Sequence, residues 1–193
     1  EDLNSAAQKV KCKFVILGNA QVGKSSILAQ FVHETFDSNY RPSIGVEFIS
    51  KKLYRDGVTV LFELWDTSSN ERFRSLIPRY IRNTVAAAIV FDVTNRQSFD
   101  SADEWIEMVK DETGAGEVIV LVGNKVDQVE ERCVTSEEAA AKASEKGAMY
   151  IEVSAKTGGN IKSLFALIAE GLAAKENPRP QSEETSAPTQ QEI

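Results

Sequence analysis

Lys24 and Ser25 close the octapeptide GNAQVGKS, residues 18–25, whose spacing is G-x-x-x-x-G-K-[ST]. These residue types at this spacing suit a phosphate group. Gly18 and Gly23 let the main chain curl until its N–H groups face an anion, and a helix beginning at Lys24 adds its positive dipole end. The Lys24 ammonium can reach β- and γ-phosphates, while the Ser25 hydroxyl can ligate Mg²⁺. A Gly-rich turn ahead of any helix could share the pattern, so its weight comes from lying between a strand and a helix.

Phosphates alone do not separate ATP from GTP, but VGNKVD at residues 122–127 does. The Asp127 carboxylate can accept two hydrogen bonds from guanine N1–H and N2–H₂, a donor pair that adenine lacks. Charge-assisted bonds contribute about 1.5–3 kcal/mol each, so the pair selects guanine by orders of magnitude. Lys125 can lay its stem on the base plane, and Asn124 can tie this loop to the phosphate loop. Ser154, Ala155 and Lys156 follow another strand, where their main-chain N–H groups can meet guanine O6. The tripeptide carries no weight alone; in order with the other two segments it does. A third stretch, ELWDTSSNERF at residues 63–73, ends an apolar strand on Asp66 and continues into Thr67 and a polar turn. That arrangement places a carboxylate beside a phosphate-bound metal. Ser69 and Asn70 then stand where such a device needs a flexible main chain and a long amide.

The elements that must position these groups alternate along the chain. Strands are predicted at Lys11–Leu17, Val46–Tyr54, Val58–Asp66, Val85–Asp92, Val118–Asn124 and Met149–Val153. Helices are predicted at Lys24–His33, Ser75–Ile81, Ser98–Glu112, Ser136–Lys146 and Ile161–Ala174. In the last, Ile161, Leu164, Phe165, Ile168 and Leu172 form one apolar stripe, with Asn160 as a candidate N-cap. VAAAIVFDV and VIVLVGN are apolar on both faces, as strands between two helix layers should be. The strands on either side of RDG read as a hairpin that sets one antiparallel edge strand on an otherwise parallel sheet. The fold class is a three-layer α/β domain, and VGNKVD ends a strand on the carboxyl edge, where ligands gather in such sheets.

With 193 residues, 42% of them hydrophobic and 26% charged, the chain suits one soluble domain with its own core. A net charge of -7 argues against a nucleic-acid surface, but a nest of main-chain N–H groups can hold phosphate in an acidic protein. Cys12 and Cys133 have no metal-like spacing and read as ordinary thiols in a reducing compartment. No apolar run approaches the roughly 20 residues of a membrane-spanning helix, and the polar start EDLNSAAQK is no signal peptide. We expect a flexible segment over residues 1–10, the domain over 11–175, and a disordered tail over 176–193, where the Pro-punctuated composition cannot offset the entropy of ordering.

From about Lys11 to Ala174 the chain resembles a Ras-superfamily small GTPase, and within it a Rab. The resemblance rests on GNAQVGKS, YRPSIGVEF, LWDTSSNERFRSLIPRYIRN, FDVTNRQSF, VGNKVD and EVSAK; ERFRSLIPRYIR is similar to the Golgi-trafficking Rabs. It implies a P-loop GTPase domain of six strands and five helices, and two segments, around Asp37–Val46 and Asp66–Arg82, that order on the γ-phosphate. It implies GTP or GDP contacts by Gly18, Asn19, Ala20, Gln21, Val22, Gly23, Lys24, Ser25, Ser26, Phe36, Tyr40, Ser43, Asp66, Ser69, Asn124, Lys125, Asp127, Ser154, Ala155 and Lys156. Phe36 would pack edge-on against guanine. Mg²⁺ would be held by Ser25, by Ser43, which stands where the family usually has Thr, and by Asp66 through a water. Ala20 lies where Rabs, unlike Ras proteins, commonly carry side chains. Phe48, Trp65 and Tyr80 read by spacing alone as packing; the resemblance makes them, with Ile44 and Gly45, an effector-binding face. His33 reads as a surface residue.

The family has Asp-Thr-Ala-Gly-Gln-Glu where this chain has Asp66, Thr67, Ser68, Ser69, Asn70 and Glu71. The resemblance thus makes Lys24, Ser69 and Asn70 the catalytic set, with two of the three altered in type. Asn70 is one methylene shorter than the Gln that orients the attacking water, and a misplacement near 1 Å can cost about a hundredfold in rate. Ser69 adds a Cβ at a pivot where Gly can take φ > 0; the alternative is that the segment accommodates Ser without consequence. The resemblance implies GTPase-activating proteins that supply Arg and Gln in trans, so stimulated turnover can survive. Three readings follow: a Rab-type switch with slow intrinsic hydrolysis, a GTP-binding scaffold with negligible turnover, and a P-loop kinase. The last predicts an Arg-rich lid and neither NKVD nor SAK. The resemblance further implies a monomer in the cytoplasm that cycles to Golgi or endosomal membranes, serves vesicular protein transport, and meets effectors, an exchange factor and a GTPase-activating protein. Similar Rabs end in prenylated cysteines. Here no cysteine follows Cys133 and no Met opens the chain, so we expect a processed or trimmed chain; a chain truly ending at Ile193 would have no prenyl anchor.

Overall fold

Ala86–Asp92 (β4) and Val118–Asn124 (β5) are buried at every position, which requires cover on both faces. Helices supply it. The computed structural model describes residues 8–39, 46–55, 58–67, 75–114 and 116–176. Within them β4 and β5 join Gln8–Leu17 (β1), Val46–Arg55 (β2), Val58–Thr67 (β3) and Met149–Glu152 (β6) in one six-stranded sheet of order β2-β3-β1-β4-β5-β6. β2 pairs antiparallel with β3 at the edge, and the other pairings are parallel, as the expected hairpin requires.

Side chains alternate across β1, and this builds two cores. Phe14 and Ile16 face one side and meet Ile27, Leu28 and Phe31 of Lys24–His33 (α1) and Leu164, Phe165 and Ile168 of Ile161–Glu176 (α6). Val15 and Leu17 face the other side. They meet Ile77 and Ile81 of Ile77–Ile81 (α2), Phe99 of Arg96–Asp100 (α3), Trp105, Ile106 and Val109 of Ala102–Thr113 (α4), and Ala139 and Ala143 of Ser136–Glu145 (α5). α3 and α4 form one helical stretch broken at Ser101, so the expected set of five helices is present. No helix among the described residues is long and apolar enough to cross a membrane.

Several boundaries differ from the expected ones for local reasons. β1 starts at Gln8, not Lys11, so residues 8–10 of the segment expected to be flexible lie in the sheet; residues 1–7 lie outside the described residues. Only β3 pairs with this first part, because β4 joins β1 at Phe14, and a half-covered strand tolerates Lys9 and Lys11. The helical stretch begins at Arg96, two residues before the predicted Ser98, because Asn95 caps it by accepting from the Ser98 N–H at 3.2 Å. α6 runs to Glu176 rather than Ala174. The Asn160 carbonyl accepts from Leu164 N at 2.9 Å, as a cap residue's should. Its side chain instead donates to the Glu152 carbonyl at 2.9 Å, anchoring the helix start to β6.

Candidate functional site

Parallel register sets five strand ends along one edge of the sheet. Ile16 pairs with Asp66, Asp92 with Asn124, and Gly123 with Glu152. The loop after β1 holds the octapeptide, and its glycines are fixed by close approach. Gly18 has φ 141, and a Cβ there would lie 2.2 Å from the Val90 carbonyl oxygen; Gly23 has φ 100, and a Cβ there would lie 2.2 Å from Asn124 Nδ2. Both are conformations that side-chain-bearing residues avoid. Gly23 is also the N-cap of α1, which has no side-chain cap and no acidic residue in its first turn. α5, by contrast, carries a full Thr135–Glu138 capping box. The dipole end of α1 is therefore left for an anion. The Lys24 Nζ is buried and donates to the carbonyls of Gly18 at 3.0 Å and Asn19 at 2.9 Å, bracing the loop from inside. Burial pushes the Lys24 ammonium down to about 8, with the Asp66 carboxylate opposing.

Asp66, at the end of β3, is 3% exposed, and its Oδ1 is buried with no hydrogen-bond partner. Burial raises its pKa, opposed by a hydrogen bond from the Ser25 side chain and by Lys24, while Glu47 across the strand pair adds to the rise. An orphaned carboxylate oxygen next to a hydroxyl is a hard-donor set that a divalent cation such as Mg²⁺ would satisfy. Among the described residues no three His, Cys, Asp or Glu side chains converge on a metal position. A cation here would thus rely on few protein ligands and on phosphate oxygens, as Mg²⁺ does.

The base loop and the phosphate loop are tied by one side chain. Asn124, 1% exposed, donates to the Val22 carbonyl at 2.8 Å and accepts from the Ala155 N–H at 3.1 Å. Three loops thus meet on one amide. The Ser154 hydroxyl donates to Asp127 Oδ1 at 2.6 Å and accepts from the Thr157 N–H at 3.1 Å. A carboxylate has about four lone-pair sites, so the held Asp127 can still take two donors. Lys125 has φ 67 and pairs with Asp92 Oδ2 at 2.6 Å, which fixes its stem along the rim. The Ser154 N–H donates to the Gly159 carbonyl at 3.0 Å and the Ala155 N–H to Asn124 Oδ1 at 3.1 Å, which places this segment beside the base loop. Lys156 retains an N–H without a partner among the described residues.

Spacing gave no hint of what supports these loops from beneath. Arg132 grips Glu152 through two bonds of 2.8 and 2.9 Å, and Tyr150 and Ser136 donate to the same carboxylate at 2.7 and 2.8 Å. Arg132 holds Glu152 down at about 2 against its partial burial, with Tyr150 and Ser136 assisting. Burial and the Glu152 carboxylate push the Tyr150 phenol up. Glu152 lies two residues before Ser154 and is paired with Gly123, so this network sets both base-side loops at once.

Residues 13–174 match a family model described as the Ras family. The chain belongs to the Ras family. It is a small GTPase switch that binds guanine nucleotide, and the matched span runs from β1 through most of α6, taking in every loop described above.

On the flank of this Ras-family domain the three aromatics do meet. Phe48 and Trp65, paired across the hairpin, have ring centroids 5.1 Å apart, and Trp65 and Tyr80 lie at 5.7 Å. Lys13 Nζ stands 5.6 Å over the Trp65 ring and donates to the Arg82 carbonyl at 2.5 Å. Phe48 is 51% exposed, so the cluster is partly surface rather than wholly core. Phe36 is 41% exposed beyond the end of α1. Asn19, Ala20 and Gln21 form the outer curve of the phosphate loop, where Gln21 takes φ 65, and Ser26 lies in the first turn of α1. His33 is exposed and Cys12 is buried, its thiol pushed up to about 12 by burial. The roles assigned to Tyr40, Ser43, Ile44, Gly45, Ser69 and Asn70 fall outside the described residues.

Proposed function

We propose that this Ras-family chain is a Rab-type switch of the Golgi-trafficking kind. It alternates between GTP and GDP with Mg²⁺ and recruits effector proteins in membrane traffic when GTP is bound. The convergence of the Gly18–Ser25 loop, Asp66 and Asp127 on one sheet edge supports the nucleotide-switch part of this reading, and the resemblance of YRPSIGVEF and ERFRSLIPRYIR supports the Rab part. In it, main-chain N–H groups and Lys24 hold the phosphates, Asp127 selects guanine, and Lys125 flanks the base. Bound Mg²⁺ would be held by Ser25 and Asp66, with Ser43 as a third ligand in this reading, and would supply neutralisation of phosphate charge. Phe48, Trp65 and Tyr80 present the partner-reading surface, and Ile44 and Gly45 share that role in this reading.

Intrinsic hydrolysis is slow in this reading. The Asn70 amide falls short of an in-line water, and the Ser69 Cβ hampers the pivot that a γ-phosphate requires. Single-turnover hydrolysis by the purified protein tests it, with Asn70→Gln and Ser69→Gly expected to raise the rate separately and together. A wild-type rate equal to that of ordinary Rabs refutes the slow engine. GTP still bound after purification, with no turnover in any variant, favours instead the scaffold reading that Ser69 and Asn70 also support. Binding of adenine nucleotides on equal terms with guanine would overturn the site assignment itself.

A further inference from the structure

Trp105 lies on α4, 86 residues from the phosphate loop, yet its indole Nε1–H donates to Asn19 Oδ1 at 2.9 Å. A buried Trp usually finds some acceptor for its N–H. Here the acceptor is a side chain of the phosphate loop itself, and the Asn19 main-chain carbonyl in turn receives the Lys24 ammonium at 2.9 Å. A continuous line runs from α4 through Asn19 to Lys24. Trp105 is 4% exposed and packed in the second core with Ile77 and Ile81 of α2 and Ile106 and Val109 of its own helix, so the donor cannot swing away.

We propose that Trp105 is a positioning residue for nucleotide retention, holding the phosphate loop in its cradling shape through Asn19. This rests on the guanine-nucleotide function of the domain and adds a residue outside its loops. The indole fixes the Asn19 side chain, Asn19 fixes the peptide that Lys24 braces, and the loop N–H groups stay aimed at the phosphates. α4 packs against α2, so the same line joins the loop to the helix near the end of the Asp66–Arg82 segment.

Release of a fluorescent GDP analogue, measured with Mg²⁺ present, tests the proposal. Trp105→Phe keeps an aromatic ring and deletes the donor; Asn19→Leu keeps the volume and deletes the acceptor. Each should release the analogue roughly three- to tenfold faster, the range expected for one net hydrogen bond. The double variant should be no faster than the quicker single variant, because both remove the same bond. Ile106→Val, in the same helix and fully buried, should lower Tm without changing release, which separates positioning from general loosening. Release by folded Trp105→Phe within about twofold of wild type, or effects that multiply in the double variant, overturns the proposal. Should Trp105→Phe not fold, Asn19→Leu decides alone: faster release supports the proposal and unchanged release overturns it. A wild-type protein that fails to retain GDP at all would instead refute the nucleotide assignment.

Discussion

Replacing Asn124 by Ala removes the one side chain on which three loops meet. The amide is 1% exposed, donates to Val22 O at 2.8 Å and accepts from Ala155 N at 3.1 Å. The substitution leaves a buried carbonyl and a buried N–H without partners. Each such group costs about 1–3 kcal/mol, so the total is about 2–4 kcal/mol once water reaches the wetter of the two. If all of it falls on the bound state, GDP release quickens about thirty- to seven-hundred-fold, at 1.4 kcal/mol per factor of ten. The portion that falls on the fold lowers Tm by about 2–4 °C per kcal/mol in a domain of this size. Gly23→Ala probes the same joint from the other side, because its new Cβ would sit 2.2 Å from Asn124 Nδ2 at φ 100. With Asn124→Ala that clash partner is gone and only left-handed strain of about 1–2 kcal/mol remains. The double variant should therefore fall short of the summed effects by at least about 1 kcal/mol. Thermal melts and stopped-flow release on the four proteins give the answer. The reasoning fails if Asn124→Ala melts within about 2 °C of wild type and releases GDP within about twofold, or if the two substitutions simply add.

Glu152 titrates near 2 in the folded protein against 4.5 for the free carboxyl, so its contribution is complete above pH 4.5 and fades as pH falls towards 2. Glu152→Gln should cost about 1–2 kcal/mol at pH 7, an estimate reduced because the side chain keeps 23% of its surface in water. That gap should narrow as pH falls below 4.5 and close only towards pH 2 in denaturant titrations across pH. Asp66→Asn removes a negative oxygen suited to Mg²⁺, so EDTA, which should sharply speed GDP release from wild type, should change it by no more than about twofold in the variant. Phe48→Ala, at a ring that is 51% exposed, should lower Tm by less than about 4 °C while abolishing capture of any partner that reads the GTP-bound state.

Chemistry held in consecutive residues was legible in the sequence. The Gly18–Ser25 spacing, the Asn124–Asp127 run and the apolar lengths of β4 and β5 each encode a local requirement, and the register of a parallel sheet then brings them to one edge. What the sequence hid is pairwise and distant. Arg132 meets Glu152 across 20 residues, and Trp105 meets Asn19 across 86; no periodicity marks a hydrogen bond formed only when distant elements and loops come together. The first three residues of β1 are obscured because Gln8 and Lys9 look unlike a buried strand, although Val10 continues the alternation of Cys12 and Phe14. Nor does spacing reveal that the Asn124 amide accepts from the Ala155 N–H.

Glu176, where α6 ends, lies at the pole opposite the pocket: Lys175 donates to Gly116 ahead of β5, on the side of the sheet where β1 also begins at Gln8. A ten-residue strand spans roughly 33 Å. Fluorophores, surface tethers or fused domains attached near Gln8 or Glu176 therefore sit a sheet's length from the phosphates, leaving the loaded face unobstructed for titration or immobilised capture.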